Sequence, residues 1–313
     1  MIQGFENFKP LSTAGAVATV GTFDGIHRGH QEIFRRVASE SSRLGMEPVL
    51  ITFHPHPRVV VSPDNIPLLL TTIEEKQIFL KDFYAGQVLL LEFNKQLQQW
   101  TAEEFVKKIL VETVRARKMI IGYDHALGKN RGGGVVELTK LGRDYGFEVE
   151  VVGPIMDDGQ PISSSRVRRA LQANRLPEAI RLLGHGYAIA GKVEQGIGLG
   201  HKIGFPTANV SYNPRKLLPT EGVYSCWARI GDTRRDGMMF IGRNHFNPQE
   251  RISVEANLFD FDESLYGREM IVYPTHYIRE NRRFENVDDL KRQIELDKQE
   301  ILQIIEKERR NAS

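Results

Sequence analysis

The sequence predicts an α/β doubly wound, Rossmann-like domain followed by a small antiparallel β-barrel and a closing helix. Three observations carry that prediction. Short apolar runs without polar alternation recur through the first half with helical patterns between them, as in a parallel sheet covered on both faces. Beyond about residue 184 helical patterns give way to strand-like runs punctuated by glycine. The chain has 313 residues, beyond the size at which single cores stop growing, so two domains are expected, 1–184 and 185–313.

Residues 16–20 are small and β-branched and read as the first clear strand. Glycines then open a turn, and Ile33, Phe34 and Val37 recur at helical spacing through about Leu44. Residues 49–53 form a second apolar run, which completes a βαβ unit. Runs 88–93 and 119–121 repeat the strand pattern. Between them Thr101 can cap a helix, with Glu104 three residues on to close a capping box. Residues 148–152 add another strand, and 170–183 reads as a helix ending at Gly184. In the second half 223–230, 238–241, 252–261 and 269–273 read as strands, with a turn at Gly231-Asp232. The closing helix is expected over 287–310. Asn286 can cap it, Asp288 and Asp289 suit its positive end, and Leu290, Ile294, Ile301, Ile304 and Ile305 make a stripe that packs on the barrel.

Charge and cysteine content limit the function. Lysine and arginine number 42 against 40 acidic residues, a net charge of +2, which gives no electrostatic case for nucleic acid as a partner. Cys226 is the single cysteine, so an intramolecular disulfide and a cysteine-built zinc site are excluded and a reducing compartment fits. With no secretory peptide and no apolar run of about 18 residues, a cytoplasmic protein without a membrane span is expected. Nothing in the sequence sets an oligomeric state.

Two constellations suit phosphate chemistry. His27 and His30 are three apart on the opening turn of a helix, where unpaired backbone N–H groups and the dipole attract anions. Gly21, Phe23, Asp24 and Gly25 form the turn before them. Two imidazoles there can stabilise charge developing on phosphorus. Ser164, Ser165 and Arg168, in the run 162–169, can hold triphosphate oxygens and balance a leaving pyrophosphate. In the second half Gly191-Lys192 is followed by Gly196, Gly198, Gly200 and Lys202, then by Gly204-Phe205-Pro206-Thr207-Ala208-Asn209. No P-loop signature occurs, so glycine N–H groups must cradle phosphates another way. Thr207 and Asn209 lie on one face of a strand and offer hard oxygens to a Mg²⁺–ATP complex.

The first constellation resembles the nucleotidyltransferases with a His-x-Gly-His signature, and among them the adenylyltransferase half of bacterial FAD synthetases. Residues 53–57, Phe-His-Pro-His-Pro, and 162–169 are similar to two further elements of that family. Residues 122–132 resemble its flavin-side loop, with His125 and Leu127 where phenylalanines are usual. The second constellation resembles the riboflavin kinase domain over nearly all of 186–300, including the segment around Glu255. The resemblance implies a bifunctional enzyme of FMN and FAD biosynthesis. Riboflavin and ATP would give FMN in the flavokinase barrel, with Thr207 and Asn209 at Mg²⁺ and Glu255 as general base. FMN and a second ATP would give FAD in the first domain, with His27, His30 and Arg168 catalytic. Gly21, Phe23, Asp24, Gly25, Ser164 and Ser165 would contact ATP there, and Gly196, Gly200 and Lys202 in the barrel. His56, Asp124, Gly128 and Arg131 would contact flavin. Two alternatives stay open on the sequence: a nucleotidyltransferase with another phosphorylated acceptor, and a flavin-binding regulator that has lost turnover.

Overall fold

The computed structural model describes residues 2–4, 8–9, 12–128, 132–196, 200, 203–243 and 252–312. Arg131, Gly198 and Lys202, singled out in the sequence, lie outside these. By packing, the chain divides into two units, Met1–Ser164 and Ser165–Ser313.

In the first unit β1 (Ile2–Gly4), β2 (Ala16–Val20), α1 (Arg28–Leu44), β3 (Glu47–His54), α2 (Arg58–Val61), α3 (Ile73–Phe83), β4 (Gln87–Glu92), α4 (Lys95–Gln99) and α5 (Ala102–Phe105) follow in order. A π-helical stretch (Val106–Thr113) prolongs α5, and then come β5 (Ala116–Gly122), α6 (Val135–Tyr145), β6 (Glu148–Val152) and the short hairpin strands β7 (Met156–Asp157) and β8 (Gln160–Pro161). The sheet runs β1-β4-β3-β2-β5-β6, with all its pairs parallel. The order reverses beside β2, so the crevice of a doubly wound sheet opens where β2 ends and α1 begins. All five residues of β2 are buried, Thr19 among them, which explains why its small and β-branched residues show no polar alternation. The capping box read at Thr101 and Glu104 is present. On the far side α1 is tied to the sheet by charge: Lys118 of β5 lies 2.9 Å from Glu40 of α1 and 2.6 Å from Glu150 of β6, which also pairs with Arg36.

All but the first residue of α7 (Ser164–Gln172) belongs to the second unit, and α8 (Leu176–Leu183) follows. One helix was expected over 170–183; the structure has two. Asn174 takes a left-handed φ of 55°, Arg175 N–H reaches back to Ala170 O at 2.8 Å, and Pro177 opens α8, so the chain caps one helix and starts another. The glycine boundary read at Gly184 therefore lies beyond two helices that pack with the second unit; Thr220 Oγ1, for instance, donates to Leu171 O at 3.3 Å.

Strands β9 (Ile189–Glu194), β10 (Ala208–Tyr212), β11 (Gly222–Ile230), β12 (Thr233–Gly242), β13 (Ser253–Leu258) and β14 (Glu269–Arg279) close a barrel in the order β10-β13-β12-β11-β14-β9. Each pair is antiparallel. The final helix α9 (Val287–Ala312) is capped by Asn286, whose Oδ1 accepts from Asp289 N–H at 2.9 Å. Ile301 is fully buried with Val223, Met238 and Phe259, and Ile294 and Ile305 pack beside it. Arg279 of β14 grips the buried Asp297 through both carboxylate oxygens at 2.8 to 3.0 Å, which fixes the helix to the strand.

Candidate active sites

The first site is the turn between β2 and α1. Phe23, Gly25 and Ile26 all have positive φ, 46°, 89° and 42°, a conformation that a non-glycine residue holds only when its surroundings enforce it. The enforcement comes from 70–72. The buried Asp24 carboxylate accepts from Leu70 N–H at 3.0 Å, Thr71 N–H at 3.0 Å and the Thr71 hydroxyl at 3.3 Å. Thr71 Oγ1 in turn accepts from Gly25 N–H at 3.1 Å. Asp24, expected at ATP, thus has its carboxylate engaged in holding the turn.

That turn delivers the two histidines together. Their rings stack with centroids 3.6 Å apart and planes 19° from parallel, and the Phe23 ring meets His30 edge-on at 5.3 Å. His27 is the N-cap residue of α1 and is 6% exposed. Two glycines make the arrangement possible. A Cβ on Gly21 would come within 2.9 Å of the Phe23 ring, and one on Gly29 within 3.2 Å of the His27 ring. Burial, with the charges of His27 and Lys76 nearby, holds the His30 imidazole well below the usual histidine range. His30 is therefore neutral near pH 7 and available as a hydrogen-bond donor.

Ser164 joins this site, but through protein: its hydroxyl donates to Asp24 O at 2.8 Å. Ser165 is exposed and Arg168 half-buried, further along α7. His56 is half-buried, and its Nδ1 accepts from Arg58 N–H at 3.2 Å. Asp124 is exposed. Gly128, with φ of 76°, lies so near α5 that a Cβ would stand 2.6 Å from Ala102 N. Leu127 is in the core of the unit and bridges to Gly133, so its side chain serves packing.

Sequence reasoning missed Lys76. It is 7% exposed, and its ammonium donates to Thr22 O at 2.6 Å and Thr52 Oγ1 at 3.4 Å. The signal was present: Lys76, Phe79 and Leu80 follow i, i+3, i+4 spacing and share the buried face of α3, so this lysine interrupts an apolar stripe.

The second site lies across β10 and β13. Asn209 and Glu255 are directly opposed in the ladder, and the Thr207 hydroxyl donates to Glu255 Oε2 at 3.3 Å. Ser253, also missed, donates to Glu255 Oε1 at 2.9 Å. Asn257 Nδ2 donates to Pro206 O at 2.7 Å and steadies the segment before Thr207. The glycine signature marks close approach here. A Cβ on Gly196 would stand 2.2 Å from Asn209 Nδ2, and one on Gly200 would stand 2.4 Å from Phe205 O and 3.1 Å from Thr207 Oγ1. Thr207, Asn209 and Glu255 are thus one constellation packed against Gly196 and Gly200. Among the described residues no cluster of three or more His, Cys, Asp or Glu has the geometry to hold a metal.

Residues 9–166 match the family model for FAD synthetase and residues 183–305 that for riboflavin kinase. The bifunctional riboflavin kinase/FMN adenylyltransferase of Escherichia coli K12 is 34% identical over 298 residues, with 95% of each chain covered. Its Pseudomonas fluorescens counterpart is 35% identical, again over 95% of each. A crystal structure from Streptococcus pneumoniae, described as a macrolide-efflux protein, superposes with a TM-score of 0.83 at 30% identity, covering 95% of this chain and 97% of that one. With both halves matched and relatives similar from end to end, the chain belongs to the bifunctional riboflavin kinase/FMN adenylyltransferase family.

Proposed function

We propose that the chain makes FAD from riboflavin in two ATP-dependent steps, one in each half, with the functional division at 184/185. The carrying observation is that each half has its own phosphate-handling constellation and matches its own family model. Among the described residues no helix is long and apolar enough to cross a membrane. We assign the work to the cytoplasm, where ATP is at hand.

In the kinase step the terminal ribityl hydroxyl of riboflavin attacks the γ-phosphorus of ATP. The new P–O bond forms as the bond to the β,γ-bridging oxygen breaks, and ADP leaves. Glu255 takes the hydroxyl proton. Thr207 and Ser253 hold its two oxygens, which orients the base. Thr207 Oγ and the Asn209 side chain suit Mg²⁺: both offer hard oxygens, and the Thr207 hydroxyl donates its hydrogen bond to Glu255, leaving lone pairs for a cation. Bound there, Mg²⁺ would neutralise phosphate charge. Gly196, Gly200 and Lys202 would line the ATP phosphates.

In the adenylyl step a phosphate oxygen of FMN attacks the α-phosphorus of the second ATP. The bond to the α,β-bridging oxygen breaks, and pyrophosphate leaves with the electron pair. The FMN phosphate is already ionised, so positioning and charge neutralisation suffice. His27 and His30 serve the α-phosphate, Ser165 and Arg168 the departing pyrophosphate, and Asp124, Gly128, Arg131 and His56 the flavin. Asp24 and Ser164 hold the turn that carries the histidines.

The test is to incubate the protein with riboflavin, ATP and Mg²⁺ and resolve flavins over time. FMN is expected to rise and then convert to FAD. His30→Ala is expected to abolish FAD while sparing FMN formation. Glu255→Gln is expected to stop riboflavin phosphorylation, by about 10²-fold or more, while still converting supplied FMN to FAD. Equal loss of both activities in either folded variant would refute separate sites.

A further inference from the structure

Lys76 sits beside the histidine pair yet has no part in the chemistry just derived. It makes no ion pair among the described residues, and its two hydrogen bonds go to uncharged oxygens, Thr22 O and Thr52 Oγ1. A buried ammonium without a carboxylate at contact distance opposes folding, and an apolar side chain of similar volume is often neutral or better for stability. Its presence there therefore needs another reason. The surroundings supply one. The same segment that carries Lys76 grips the catalytic turn twice more, through Leu70 and Thr71 on Asp24 and through Thr71 on Gly25. Lys76 holds the carbonyl of Thr22, immediately before Phe23, whose ring packs on His30.

We propose that Lys76 is a positioning residue for adenylyl transfer, its ammonium fixing the Thr22–Phe23 corner and placing a positive charge next to His30. This rests on the assignment of adenylyl transfer to the first half. The titratable groups facing it are Asp24 from the turn and His30 from α1; on α3 itself Glu75 is engaged with Thr72 in a capping box. Burial brings the Lys76 ammonium down to about 8, with Asp24 opposing. Its charge in turn disfavours protonation of His30. Burial first and this charge in addition keep the imidazole neutral, so that it meets ATP as a donor to the α-phosphate while the FMN oxygen bonds to phosphorus and pyrophosphate departs. An ammonium has three N–H groups, and Lys76 makes hydrogen bonds to two partners.

The experiment compares wild type with Lys76→Met in the full-length chain. FAD formation from supplied FMN and ATP is followed from pH 6 to 9.5, with riboflavin phosphorylation by the same preparation as the control for the second half and thermal unfolding as the report on folding of the first. Lys76→Met is expected to lower kcat for FAD formation about 10- to 100-fold, with riboflavin phosphorylation unchanged. The ¹³C-imidazole titration of His30 is expected to move to higher pH in the variant. Wild-type FAD formation is expected to decline above about pH 8 along a limb that phosphorylation does not share. Wild-type kcat in a folded Lys76→Met protein, or an unmoved His30 titration, would overturn the proposal. If the variant does not fold, the wild-type profile decides: absence of the alkaline limb overturns the proposal and its presence supports it. Wild type that makes no FAD at all overturns the functional reading before Lys76 enters.

Discussion

Gly196→Ala tests whether the glycine signature of the barrel serves the metal site. Gly196 has no positive φ, so alanine is compatible with the backbone there. The obstacle is the Asn209 amide, with Nδ2 2.2 Å, Cγ 2.7 Å and Oδ1 3.0 Å from the position a Cβ would take. Ordinary van der Waals contact begins at 3.4 Å, so the amide must retreat by about 1 Å, a misplacement that costs about 10²-fold in rate at a reacting centre. That corresponds to about 2.7 kcal/mol of transition-state stabilisation. The fold itself is expected to change little, because Asn209 can rotate and alanine restricts the unfolded chain, which is worth about 0.4–1 kcal/mol. Initial rates of riboflavin phosphorylation across a Mg²⁺ series, with FMN adenylylation as the internal control, make the assay. The expected outcome is a hundredfold slower kinase, in order of magnitude, a higher Mg²⁺ requirement and an intact adenylyltransferase. A variant with near wild-type phosphorylation and an unchanged Mg²⁺ requirement would refute the reasoning, since it would show that Asn209 can move without consequence.

Two further outcomes are expected. Asp24→Asn removes one accepting oxygen and the charge from the buried bonds to Leu70 and Thr71, at a cost of about 2 kcal/mol. Thermal unfolding of the first half should shift down by about 4–8 °C, with FAD formation falling further than FMN formation; an unshifted melt would show that the turn holds without the carboxylate. The Glu40 carboxyl, held down to about 2 by hydrogen bonds from Arg43 and Lys118, binds a proton less readily in the folded chain than in the unfolded one. Its contribution is complete above the unfolded value of about 4.3 and is lost as the pH falls toward 2. Urea midpoints between pH 7 and pH 2.5 should decline less steeply in Glu40→Gln, and identical slopes would remove Glu40 from the acid response.

The parallel sheet was legible because strands buried on both faces lack polar alternation, and β2 is buried at all five positions. The histidine pair was legible because three-residue spacing at a helix start is local geometry. What escaped was tertiary. Nothing in 170–183 but Asn174 and Pro177 hinted that the helix breaks, since the apolar spacing continues through both pieces. The bonds that hold Asp24 were hidden because its partners, Leu70 and Thr71, are 46 and 47 residues away. Leu127 read as a departure from an aromatic pattern until packing put it in the core. Lys76 could have been found as a charge within an apolar stripe, but its neighbours Thr22 and Thr52 could not.

The opposed pair Asn209 and Glu255 has a consequence for how this barrel can change over generations. Strand neighbours alternate faces, and Val254 and Ala256, which flank Glu255, are each 1% exposed. Deleting or inserting one residue within β13 would exchange the carboxylate with an apolar side chain on both faces at once. A closed barrel offers no free edge along which a strand could slide to absorb the change. Point substitutions can therefore accumulate along β10 and β13, while their lengths stay locked, and changes in length are confined to the loops.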